Sequence, residues 1–157
     1  YKSVNDLPDF RDYSMEGRTY RYFTGKVLYP FGYGLSYSKF EYSDPAADKT
    51  RISPGEVLKV SVEVKNTSER EGEEVVQLYI SYPDSEIQRP LRELRGFERS
   101  MIPAGESKTF EFTLAEKDLE YFNEETEKYE VEKGIYRLML GPSSDPAVLK
   151  SLEIEVI

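Results

Sequence analysis

Carboxylates are the commonest side chains here that could do chemistry: 30 acidic residues stand against 21 basic ones, with no histidine and no cysteine. Without histidine there is no Ser-His-Asp triad, no imidazole base near neutral pH and no histidine-ligated metal. Without cysteine, disulfides and thiolate sites are excluded, though a cysteine-free domain folds in either redox setting. Paired acids are what remains. Glu124 and Glu125 are adjacent, so on a strand they would point to opposite faces, and in a turn they would simply be solvated. With Asp118, Glu120, Glu127, Glu130 and Glu132 they form an acidic run, and such runs are ordinarily solvated faces. Asp44 with Asp48, or Asp84 with Glu86, offers oxygen ligands, but no twelve-residue calcium loop ending in glutamate is present. Asn66-Thr67-Ser68 fits the glycosylation triplet, for which a turn is the simpler role. No catalytic residue, cofactor site or metal site is assigned.

The second group is aromatic. Nine of the 21 aromatic residues fall between Tyr20 and Tyr42. Tyr29-Pro30-Phe31-Gly32-Tyr33-Gly34 alternates rings with glycines, which permit backbone angles and close approaches that other residues resist, while Pro30 biases Tyr29 towards extended geometry. This stretch reads as a structural joint. Its rings could stack on sugars, but packing in a core or between domains is the commoner use of such residues. Upstream, Arg18, Tyr20, Arg21 and Tyr22 combine guanidinium groups with rings, which suits either a domain boundary or the edge of a sugar subsite. A boundary strap of this kind should be loose, or packed on a neighbouring molecule, in an isolated chain.

The elements that must carry these groups follow from the pattern. A chain of 157 residues suits one domain with an appendage. No apolar run approaches the roughly 20 residues needed to span a bilayer, and no charged-then-apolar signal segment opens at Tyr1. A net charge of −9 argues against nucleic acid as partner. Residues 1–38 form an irregular connecting arm, in which Arg18–Phe23 alternates like one extended strand. Residues 39–157 form the domain proper. There Phe40–Tyr42 is a short strand; Leu58, Val60, Val62 and Val64 alternate with polar residues; Val76, Leu78 and Ile80 face inward opposite Val75, Gln77 and Tyr79. Leu91, Leu94 and Phe97 mark a strand with a bulge near Gly96. Phe110, Phe112 and Leu114 form another, an acidic hairpin runs over Leu119–Val131, and strands about Tyr136–Leu140 and Leu152–Val156 finish the chain. About seven strands without a helical period predict an all-β, two-sheet antiparallel sandwich of immunoglobulin or fibronectin type, and the missing Cys-Trp-Cys core favours the latter.

Several segments also carry a resemblance. Gly17–Phe23, Leu28–Tyr37, Glu74–Tyr79, Arg89–Phe97, Pro103–Ser107 and Gly141–Ser144, in this order, resemble the C-terminal fibronectin type III-like part of family 3 glycoside hydrolases, the β-glucosidases and β-xylosidases. The resemblance implies retaining hydrolysis of terminal β-linked glucose or xylose as the parent reaction, and hydrolysing a glycosidic bond needs two carboxyl groups about 5 to 9.5 Å apart across the sugar. The resemblance places these in preceding barrel and α/β domains, so no catalytic residue carries over to this chain. What it implies is a supporting module with the parent's catalytic domains as partner, an oligosaccharide or glycoside as the parent's substrate, and a periplasmic or secreted location. An independent carbohydrate-binding module or an adhesion-type sandwich is the alternative.

Overall fold

The computed structural model describes residues 3–157; Tyr1 and Lys2, the first residues of the arm, lie outside the described part. Its helical content in the arm is one turn, α1 (Thr19–Tyr22), beside a 3-10 turn at Val4–Asp6. The strands are β1 (Phe40–Tyr42), β2 (Ala46–Ala47), β3 (Arg51–Ile52), β4 (Leu58–Asn66), β5 (Gly72–Ser81), β6 (Glu93–Ile102), β7 (Ser107–Leu114), β8 (Tyr121–Asn123), β9 (Lys128–Glu130), β10 (Gly134–Gly141) and β11 (Lys150–Val156). In one sheet, β7 pairs with β4 along one edge while the short β1 and β2 share the other; the second sheet runs β3-β11-β10-β5-β6, and β8-β9 is a separate hairpin.

Alternation builds the core. Along β4 the residues are buried at every second position, so Leu58, Val60, Val62 and Val64 face Val76, Leu78, Ile80, Leu138, Leu140 and Ile154 of the opposite sheet. Phe110 and Phe112 of β7 and Tyr136 of β10 belong to the same core. This apolar layer lies wholly within the chain, which gives the sandwich an independent basis for folding. Gly96 lets β6 approach the other sheet: a Cβ there would stand 3.0 Å from the Phe112 ring. The all-β, two-sheet sandwich expected from the sequence is the observed fold. Among the described residues, no helix is long and apolar enough to cross a membrane.

Four details differ from the sequence reading. First, β11 pairs with β3 in parallel, because the chain crosses from the first sheet at β2 to the second at β3 and arrives beside the C-terminal strand in the same direction. Second, Arg18–Phe23 is no strand. Gly17 and Thr19 take positive φ (66° and 54°), which bends the segment into α1, and it meets the edge strand β6 through the Tyr20 hydroxyl rather than through a backbone ladder. Third, Gln77 and Tyr79 are as buried as Val76 and Leu78, because β5 is covered on both faces. Fourth, Leu91 precedes β6 and Phe97 lies 68% exposed on its outer side; the bulge expected near Gly96 is present, with Arg95 the extra residue where the register with Leu78 and Tyr79 shifts.

Candidate functional site

What covers the outer face of β5 is the arm. Gln77 Nε2 donates to the carbonyl of Gly32 at 3.1 Å and to that of Pro142 at 2.6 Å, while Gln77 Oε1 accepts from the Tyr79 hydroxyl at 2.5 Å. Ser144 N–H donates to the carbonyl of Phe31 at 2.8 Å. The joint is thus fixed to β5 and to the loop after β10. Burial pushes the Tyr79 phenol far above its usual range, so it stays a hydrogen-bond donor. Pro30 to Tyr33 is a turn closed by Tyr33 N–H on the Pro30 carbonyl at 3.1 Å, with Gly32 at φ +77°, the geometry of a type II turn that requires glycine at its third position. A Cβ on Gly32 would also lie 2.0 Å from Gln77 Oε1. Gly34 has no such constraint: nothing stands within 4 Å of its ideal Cβ.

The arginine-aromatic segment is tied down as well. The Tyr20 hydroxyl accepts from Leu94 N–H at 3.0 Å, and its ring stacks on Phe31 with centroids 4.2 Å apart. Its edge meets Tyr79 at 6.0 Å. Leu91 N–H donates to the Arg21 carbonyl, and the Arg21 guanidinium pairs with Glu93 at 2.8 Å. Tyr22 sits beside that guanidinium at 5.8 Å. Arg18 instead orders the arm itself, donating to the carbonyls of Asp9 and Asp12. The segment expected to be loose is therefore half-buried and fastened to its own sandwich, because β5, β6 and the 82–92 loop offer it partners.

The joint's other rings do not enter the sandwich core. Tyr29 and Tyr33 touch each other at 5.0 Å, yet both remain largely exposed, as do Val27, Leu28, Leu35 and Tyr37. Val27, Leu28, Tyr29 and Tyr33 line an open groove of about 950 Å³ that Leu91, Arg92 and Ser144–Pro146 also line. Residues 3–38 carry four acidic side chains (Asp6, Asp9, Asp12, Glu16) and four basic ones (Arg11, Arg18, Arg21, Lys26), so this aromatic face is near neutral in a chain of net charge −9.

The acidic run has structural partners. Glu124 and Glu125 lie exposed in the β8-β9 turn. Asp118 caps the Ala115 N–H, Glu130 accepts from Asn123 and Thr126, and Glu132 accepts from Ser85 and Arg89. Among the described residues no group of three or more Asp or Glu converges to hold a metal ion. Asn66 is fully buried: its Nδ2 donates to the carbonyls of Arg70 and Ile102, and its Oδ1 accepts from Ser68 N–H. Two features escaped the sequence reading. Gln77 has the period of an outward residue, and nothing local marks it as a clamp. Arg92 reaches the Ser144 carbonyl at 2.5 Å, a contact 52 residues away in sequence.

Residues 74–144 match the model of the fibronectin type III-like domain. The chain is 44% identical over 134 residues to a thermostable beta-glucosidase B of Acetivibrio thermocellus, covering 83% of this chain and 18% of that protein. It is 42% identical over 157 residues to a xylan 1,4-beta-xylosidase of Xylanibacter ruminicola, covering 98% of this chain and 17% of the relative. Among solved structures it superposes on a beta-glucosidase of Erythrobacter marinus with a TM-score of 0.79 and 38% identity, over 89% of this chain and 18% of that one. The chain thus spans less than a fifth of the length of these proteins.

Proposed function

From the premise that the chain carries a fibronectin type III-like domain matching one part of family 3 β-glucosidases and β-xylosidases, we propose that it is a non-catalytic module of such an enzyme. Residues 39–157 are the module and residues 1–38 the arm that joins it to the catalytic domains. The parent reaction is hydrolysis of terminal β-linked glucose or xylose, performed by domains outside these 157 residues, and the protein acts in the periplasm or outside the cell. The module stabilises the catalytic body by giving its apolar surface a rigid partner.

The observation that carries this reading is the arm. It presents exposed rings, Tyr29, Tyr33 and Tyr37, on a near-neutral segment while being held by Gln77, Ser144 and Glu93, as a surface built for a neighbouring domain would be. Arg21 and Tyr20 serve the boundary by fixing the arm, and Arg18 and Tyr22 by shaping it. Thermal unfolding of the full-length enzyme, with and without these 157 residues, tests the reading. Removal should lower the midpoint of the catalytic body and its activity; an unchanged catalytic body contradicts it.

A further inference from the structure

The arm is anchored at two points that are close in space and separated in sequence. Tyr20 and Arg21 bond to Leu94, Leu91 and Glu93; Phe31 and Gly32 bond to Ser144 and Gln77. The stacked Tyr20 and Phe31 rings, nearly parallel at 12°, join the two anchors into a neck. The chain between them is a closed loop. All residues from Thr24 to Tyr29 are exposed, and among the described residues no hydrogen bond ties them to the sandwich. Leu28 is 88% exposed and Tyr29 65%. Open space flanks the loop: the groove towards Arg92 and Asp145, and a second hollow of about 860 Å³ towards Asp6, Pro8 and Gly17.

An apolar tripeptide whose loop is fixed at both ends by a rigid neck loses less conformational freedom on binding than an untethered segment would, and a few such side chains can supply much of an interface's energy. We propose that Val27-Leu28-Tyr29 is a docking finger that inserts into an apolar cleft of the catalytic body of the same longer chain. This rests on the module reading above. The occupant is argued from two facts: the relatives extend more than fourfold beyond the matched part, whose share is 17–18%, and the finger belongs to a near-neutral arm on an otherwise acidic chain. The cleft walls fill both flanking hollows, so the finger is gripped on two sides.

The test compares backbone amide exchange of residues 25–29 in the isolated chain and in the full-length protein, then titrates the isolated chain into the preceding portion of the full-length protein. Amides of the finger should exchange at least ~10-fold more slowly in the full-length protein, as expected when an open loop becomes buried. Leu28→Ser with Tyr29→Ser should weaken association at least ~30-fold, the order of a hot-spot truncation. Tyr129→Ser, on the distant β8-β9 hairpin, should leave it unchanged. Both sites are exposed, so the isolated variants should unfold at the wild-type midpoint. Equal exchange in the two contexts, or association indifferent to the finger variants, overturns the finger while leaving the module reading in place. Absence of any association by the wild-type chain overturns the module reading itself. Finger protection that appears in the isolated chain as its concentration rises, or on adding cellobiose or xylobiose, assigns the finger to self-association or to sugar and overturns this occupant.

Discussion

The Gln77 side chain holds the Gly32 carbonyl at 3.1 Å, and Gly32 is the one residue of the joint whose missing Cβ that contact demands. A residue on the outer face of a sheet strand thereby fixes a glycine 45 positions earlier, one of the points at which the arm is fastened to the sandwich. Gly32→Ala should cost about 2 kcal/mol, since it combines a left-handed backbone angle with a collision. For a chain of this size that is a loss of roughly 4–8 °C in unfolding midpoint. Gly34→Ala should change the midpoint little. Equal effects at the two glycines in differential scanning calorimetry would contradict the assignment.

Asn66 fills all the capacity that its surroundings offer, closing the β4-β5 turn onto the end of β6. Asn66→Ala should destabilise by about 2–3 kcal/mol, because two carbonyls and one N–H lose their partner in a dry site. Urea unfolding reads this directly. Expression in a glycosylating host should leave Asn66 unmodified in the folded protein, and mass spectrometry decides it.

Glu74 is buried on β5 and accepts a hydrogen bond from the Tyr42 hydroxyl of β1 at 2.8 Å, joining the two sheets. Burial raises its carboxyl above the usual glutamate value of 4.5. The folded state therefore binds this proton more tightly than the unfolded state. Its contribution to stability is present below that value and is lost as pH rises through the higher folded value. Glu74→Gln should thus be close to wild type near pH 4 and more stable than wild type near pH 8, with the gap widening between. A gap that narrows as pH rises in urea unfolding would contradict this.

Much of the fold was legible because burial on one face leaves a period of two: β4, β7 and β11 could be read residue by residue from Leu58, Phe110 and Leu152 onward. β5 was legible only on its inner face. Gln77 and Tyr79 look like outward residues, and what buries them is the arm, a partner set by tertiary contact rather than local pattern. The same cause hid α1, whose Arg18–Phe23 alternation mimics a strand but is bent by positive φ at Gly17 and Thr19. At the candidate site, the ring-rich stretch stood out by composition. Which rings anchor (Tyr20, Phe31) and which project (Leu28, Tyr29) depends on contacts to Leu94, Ser144 and Gln77, far away along the chain.

Arg89 and Glu132 meet at 2.7 Å with both side chains mostly buried, and the guanidinium lies 4.8 Å from the Tyr121 ring. Together they pin the 82–92 loop, which carries the arm's anchor at Leu91. Arg89→Met alone should cost about 3 kcal/mol by stranding the carboxylate. Arg89→Met with Glu132→Leu should cost less than the sum of the single changes, with a coupling of roughly 1–3 kcal/mol in a double-mutant cycle. Additive losses would show that the pair holds nothing together.

The most direct measurement is hydrolysis of a panel of nitrophenyl β-glycosides by this chain alone, by the preceding portion of the full-length protein alone, and by the two mixed. A non-catalytic module gives no turnover alone, the preceding portion gives weak or unstable turnover, and mixing gives a gain. Turnover by the chain alone would contradict it and return the question to carboxylates within these 157 residues.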